Sequence, residues 1–221
     1  MARYPLVLRL LRKDELQEAA WVAGRGMCDN PANLRVFRIS NVDKRASKLG
    51  RFFGPVLRGV YERGFVLGAF CSDKLVGVCG IARPGFCQPT SMEKLRIFPA
   101  VVLRNSAGTP FRILRWAGEW AHRDPDEPHW HLGPVAVEPG WQGRGIGSAM
   151  LEAFCAVVDG FRGQAYLETD KPENLGFYEK FGFTTMQVAD VLGVPNWFMS
   201  RAAKSEPKTR DSRVRTASID S

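Results

Sequence analysis

Three glycines set two apart, Gly143-Arg-Gly145-Ile-Gly147, follow the apolar stretch Val135-Ala-Val137 and a Pro139-Gly140 turn, and open straight into Ser148-Ala-Met-Leu-Glu-Ala-Phe154. The pattern constrains the chain to a strand, a tight turn and a helix in immediate succession. Glycine accepts positive φ and brings bare backbone close to a ligand. Amides at the start of a helix, helped by the positive end of its dipole, then converge on an anion. On residues alone the run reads either as a phosphate cradle or as a plain structural turn. It is not a P-loop, because no Gly-Lys-Ser/Thr closes it. Nor is it a dinucleotide fingerprint, because the spacing is G-x-G-x-G and it does not follow the first strand.

The surroundings predict an α/β chain. A strand is expected over 129–137, a helix over 143–158, a strand over 164–169, a helix over 173–181, and one or two strands over 184–200. Such alternation implies parallel pairing through right-handed crossovers. Earlier, 6–11 reads as a short strand and 14–27 as a helix stopped by Asp29-Asn30-Pro31. A helix is expected from about Lys44 to Arg63, weakened by Gly50 and Pro55. A hairpin over 65–71 and 75–83 turns at Ser72-Asp73-Lys74. Residues 91–122 read as helical but broken over 105–110, with Trp116 and Trp120 as either acceptor-side wall or ordinary core. The expected organisation is one domain over 1–201, with a helical insertion at about 85–128, and a basic, disordered tail over 202–221.

Bulk properties narrow the class. The chain has 221 residues, 45% of them hydrophobic and 24% charged, enough for one self-sufficient core. Five cysteines without C-x-x-C spacing read as reduced thiols, which places the protein in the cytoplasm. No long uncharged apolar stretch predicts a membrane span, and the N-terminal apolar run is too short for a signal core. A net charge of +8 calls for an anionic partner without choosing one.

Gln142-Gly143-Arg144-Gly145-Ile146-Gly147, after a Val-Ala-Val strand, resembles the acetyl-coenzyme-A loop of the GNAT acetyltransferase superfamily, whose pattern is Gln/Arg-x-x-Gly-x-Gly/Ala. A second match follows in order: Leu167-Glu168-Thr169, then Asn174-Leu-Gly-Phe-Tyr178 and Gly182-Phe183. The resemblance covers 129–201 well, 65–83 as the preceding hairpin, 1–64 loosely and 85–128 hardly at all. It implies the GNAT (acyl-CoA N-acyltransferase) fold, a central mixed twisted sheet splayed at two parallel strands and flanked by helices. Acetyl-CoA would be the co-substrate. Backbone groups of Val135, Ala136 and Val137 would meet the pantetheine arm, and Asn174 would reach it. Gln142, Gly143, Arg144, Gly145, Ile146, Gly147 and Ser148 would hold the pyrophosphate. The residues supply a reason for the splay: Pro134 has no N–H for a ladder and Gly133 weakens the strand before it.

The resemblance also makes Tyr178 the candidate general acid toward the departing sulfur, against the plainer reading that it packs with Phe177 and Phe181. Strand alternation is expected to put His129, His131, Gly133, Val135 and Val137 on one face, with Trp130, Leu132, Pro134 and Ala136 on the other. His131 falls where histone-type members carry a base glutamate, and Glu168 on the next strand is the second candidate base. Each has a structural alternative. His129-x-His131 is not expected to bind metal, since His122 is the only other histidine and no acidic residue lies at ligand spacing. No histidine is placed by sequence to activate a cysteine. The expected function is acetyl-CoA-dependent N-acetylation of a primary amine, of a small molecule, by direct attack in a ternary complex, in a monomer or homodimer. The alternative is a non-enzymatic acyl-CoA sensor or basic nucleic-acid-binding protein, although no nucleic-acid motif is present.

Overall fold

The computed structural model describes residues 5–89 and 108–204. The 202–221 tail thus lies almost wholly outside the described residues, as does much of the 85–128 segment. The described chain runs β1 (Leu6–Leu10), α1 (Leu16–Gly26), α2 (Pro31–Phe37), α3 (Val42–Arg63), β2 (Gly64–Cys71), β3 (Lys74–Ala82) and α4 (Thr109–Ala121). It continues with β4 (Trp130–Val137), α5 (Ile146–Gly160), β5 (Ala165–Thr169), α6 (Leu175–Glu179), β6 (Thr184–Val191) and β7 (Val194–Arg201).

Local chemistry explains most boundaries. Asn41 caps α3, its side chain accepting from the Lys44 amide at 2.9 Å. Pro55 lies inside that helix without ending it. Pro31 does not merely stop α1: it opens a further helix, because its fixed φ suits a first helical turn. Ser72 and Asp73 both take positive φ, as the two-residue turn of a tight hairpin requires.

Seven strands form one sheet in the order β1-β2-β3-β4-β5-β7-β6. Neighbours are antiparallel except β4 and β5, which run parallel. That pair is joined over only two rungs, Trp130↔Ala165 and His131↔Tyr166. Pairing stops just before Gly133-Pro134, where the missing N–H was expected to end it.

The alternation expected along β4 does not survive this point. Ile81 pairs with Leu132 and Cys79 with Val135, so two residues of β4 stand opposite the single Gly80. The bulge shifts the side-chain phase by one. Trp130 and Leu132 therefore share a core with Val135 and Val137, packed by α5 (Ile146, Met150, Leu151, Phe154). Ala136 faces the opposite core, built from α1 and α3 (Ala19, Ala20, Val22, Leu49, Phe53, Leu57). Trp116 and Trp120 of α4 pack edge-to-face at 4.9 Å and cover Tyr166, Val191 and Phe198 on that second face. They serve as core, with the Trp120 indole donating to Asn196 Oδ1 at 3.0 Å.

Candidate active site

Where β4 and β5 part, a cavity of about 450 Å³ opens. Its walls are Val135, Ala136 and Val137 from β4, Trp141 through Gly143 and Gly145 through Ser148 from the glycine turn, and Asn174, Phe177 and Tyr178 beyond β5. Gly143 and Gly145 both hold φ near the left-handed region, at 72° and 81°, and Gly145 is the N-cap residue of α5. Neither would meet a neighbour with an added Cβ, so backbone conformation selects glycine there. Gly145, Ile146, Gly147 and Ser148 line the cavity, so the N-terminal, positive end of the α5 dipole forms part of its wall.

Every expected cofactor-binding residue lines this cavity except Arg144. Its guanidinium stacks on the outer side of Trp141, 4.9 Å from the ring centroid, beside a neighbouring depression that includes Lys74. Gln142 uses its side chain locally, donating to the Val137 carbonyl at 3.0 Å. Asn174 donates to Thr169 Oγ1 at 3.4 Å.

Sequence reasoning missed the remaining wall: Gly26, Met27 and Asn30 from the α1–α2 connection, and Lys171. Asp170 holds that connection against β5. Its buried carboxylate accepts from the Ala32 amide at 2.6 Å and from Asn30 Nδ2 at 3.1 Å. Lys171 pairs with Asp29 at 2.9 Å, closing the same seam. The Asp29-Asn30-Pro31 and Asp170-Lys171-Pro172 runs were the available signals, both polar turns flanking predicted elements.

Tyr178 belongs to the α5-side core and is 7% exposed. Burial pushes its phenol above the ordinary value, and it remains protonated. The packing with Phe177 is also real, at 5.3 Å between ring centroids.

His131 and Glu168 sit on the other face of the sheet, with Nε2 3.0 Å from Oε2. The Glu168 side chain is only 4% exposed. Burial would lower the His131 pKa, but the negative Glu168, and then Asp124 and Cys87, reverse this and hold it well above the ordinary value.

The fold brings to His129 and His131 an acidic residue and a thiol that sequence spacing did not offer. Asp124 brings Oδ1 to 3.2 Å from His129 Nε2 and 3.7 Å from His131 Nδ1. Cys87 closes the group, its thiol donating to Asp124 Oδ2 at 2.7 Å. Burial would raise the Cys87 thiol and lower His129. The histidines outweigh it at Cys87, whose value falls, and the neighbouring Asp124 outweighs it at His129, whose value rises to about 9.

Comparison with known proteins agrees with this geometry. Residues 109–185 match the family model described as an acetyltransferase (GNAT) domain. A Corynebacterium glutamicum structure described as a histone acetyltransferase and related acetyltransferase superposes with a TM-score of 0.67 at 21% identity, covering 92% of this chain and 98% of that one. An N-acetyltransferase from Thermoplasma acidophilum, in complex with coenzyme A, gives 0.55 at 14% identity, covering 90% and 99%. The ribosomal-protein-S18-alanine N-acetyltransferase of Escherichia coli gives 0.53 at 14%, covering 93% and 98%. Among the described residues no helix is long and apolar enough to cross a membrane. The matched region spans the glycine turn and the splay beside it, so this part of the chain is similar to a GNAT acetyltransferase domain, and the chain shares the fold of these acetyltransferases.

Proposed function

We propose that the protein moves the acetyl group of acetyl-CoA directly to a primary amine of a small molecule, in a ternary complex. The observation that carries this reading is the cavity at the β4–β5 splay, lined by Val135, Ala136 and Val137 of β4 and by the first turn of α5. The amides of 143–148 take the pyrophosphate, Val135, Ala136 and Val137 take the pantetheine amides, and Asn174 orients the arm. Lys171 adds positive charge to the same wall.

In the transfer step the neutral amine attacks the thioester carbonyl, a C–N bond forms, and the C–S bond breaks. The amine proton passes to Glu168, directly or through water, and the Tyr178 hydroxyl protonates the thiolate. The engagement of His131 Nε2 with Glu168 favours Glu168 as base and His131 as its positioning residue. The depth of Glu168 in the sheet favours an amine on a slender arm over one on a folded protein surface. No step in this scheme calls for a metal. The shared use of one sheet by both cores supports a single domain through residue 201. Five free cysteines fit a reducing compartment such as the cytoplasm.

Incubation with acetyl-CoA and an amine library, read by thiol release, tests the reading. Amine-dependent release supports it. An acyl-CoA sensor would instead bind acetyl-CoA, release no thiol, and be indifferent to Tyr178→Phe.

A further inference from the structure

On the α4 side of the sheet, four potential donors from three separate parts of the chain meet. Cys87 comes from the connection after β3, Asp124 from the turn after α4, and His129 and His131 from the start of β4, two apart and therefore on one face. Their nearest ligand atoms all lie within 4.8 Å of one another. A tetrahedral zinc ion with bonds of about 2.0–2.3 Å spaces its ligands by roughly 3.3–3.8 Å. The separations of Asp124 Oδ1 from the two imidazoles, 3.2 and 3.7 Å, already match.

Three of these atoms are buried without a hydrogen-bond partner: His129 Nε2, His131 Nδ1 and Asp124 Oδ1. Buried polar atoms without well-directed hydrogen bonds are costly, and these three face one another in charge contacts of 3.2 and 3.7 Å. Their outward-facing partners are all satisfied. His129 Nδ1 lies 2.8 Å from the Glu127 carbonyl, and His131 Nε2 lies 3.0 Å from Glu168. Gln88 Nε2 donates to Asp124 Oδ2 at 2.8 Å. Metal-bound histidines are held in this way, the distal nitrogen donating to a carbonyl or carboxylate so that the near one is free to ligate.

We propose that Cys87, Asp124, His129 and His131 form a structural binding site for a zinc-type divalent cation. The thiolate and carboxylate balance the dication, and the two imidazoles complete a closed four-ligand set. On binding, the Cys87 proton leaves to solvent and sulfur bonds to the metal. The ion ties both ends of the segment between β3 and β4 to the strand that carries His131, and fixes His131 Nε2–H toward Glu168. The site shares His131 with the acetyl-transfer reading, but none of its donors lines the cofactor cavity, so metal binding can be read without turnover.

The test uses the full-length protein. Zinc content is measured by elemental analysis, and chelator-treated protein is titrated with cobalt(II) while its absorption spectrum is recorded. One zinc per chain is expected, with tetrahedral ligand-field bands and a thiolate-to-cobalt charge-transfer band. Cys87→Ser is expected to remove the charge-transfer band, and Asp124→Asn to weaken zinc binding at least tenfold. Wild-type protein that is folded by circular dichroism yet gives no cobalt bands and no stoichiometric zinc overturns the assignment. Charge-transfer absorption that persists in Cys87→Ser also overturns it.

Discussion

His131 and Glu168 face each other across the last rung before β4 and β5 part: the histidine belongs to that rung, and the glutamate lies two residues beyond its partner Tyr166. The contact therefore sits at the apex of the opening in which a thioester would be placed. In the proposed reaction this is where the amine proton is taken.

Glu168→Gln keeps the shape and the contact with His131 but removes the basic oxygen. The variant is expected to lose roughly 10²–10⁴-fold in kcat while acetyl-CoA affinity, measured by calorimetry, stays within about twofold. Equal loss in kcat and in acetyl-CoA binding would assign Glu168 a structural role instead.

Tyr178→Phe leaves the ring in the α5-side core and removes the hydroxyl. A kcat decrease of about 10²-fold is expected with thioesters, and a smaller decrease with acetyl donors whose leaving group needs no proton. An unchanged kcat would leave packing against Phe177 as the function of this residue.

Gly145→Ala places a Cβ on a residue with φ of 81° in otherwise open space. The strain should cost about 1–2 kcal/mol in unfolding free energy. It should also raise the acetyl-CoA dissociation constant by turning the first amides of α5 away from the cavity. Gly140→Ala, whose glycine has no positive φ and no close neighbour, is the matched control and should do neither.

The Arg9–Glu15 pair predicts part of the acid limit of stability. Glu15 accepts twice from Arg9, at 2.6 and 2.8 Å, and from the Arg12 amide, which lowers its pKa from 4.5 to about 2. A depressed folded-state pKa means the stabilisation is complete above about pH 4.5 and is lost as pH falls toward 2. Glu15→Gln should therefore lower stability by roughly 1 kcal/mol at neutral pH. Its chemical-denaturation curve should converge with that of the wild type near pH 2.

The glycine turn and the end of β4–β5 pairing were legible because their causes are local. Gly143, Gly145 and Pro134 each act on their own backbone, and their effects appear in the structure where the spacing puts them. The facing of β4 was not legible, since period-two counting presumes no bulge and the extra residue at Gly133-Pro134 inverts it. The helix at Pro31–Phe37 was hidden because proline signals both an end and a beginning. The Cys87–Asp124–His129–His131 cluster was beyond sequence reasoning for a different reason. Cys87 and Asp124 are 37 positions apart, and only the return of the β3–β4 connection to the sheet makes them neighbours.

The most direct measurement of the central claim is calorimetric titration of the protein with acetyl-CoA, run beside a thiol-release assay with primary amines. The account predicts saturable binding at one site per chain, weakened in Gly145→Ala, and amine-dependent release of coenzyme A that falls sharply in Glu168→Gln. Absence of acetyl-CoA binding by the folded protein, with no thiol released by any amine, would contradict it.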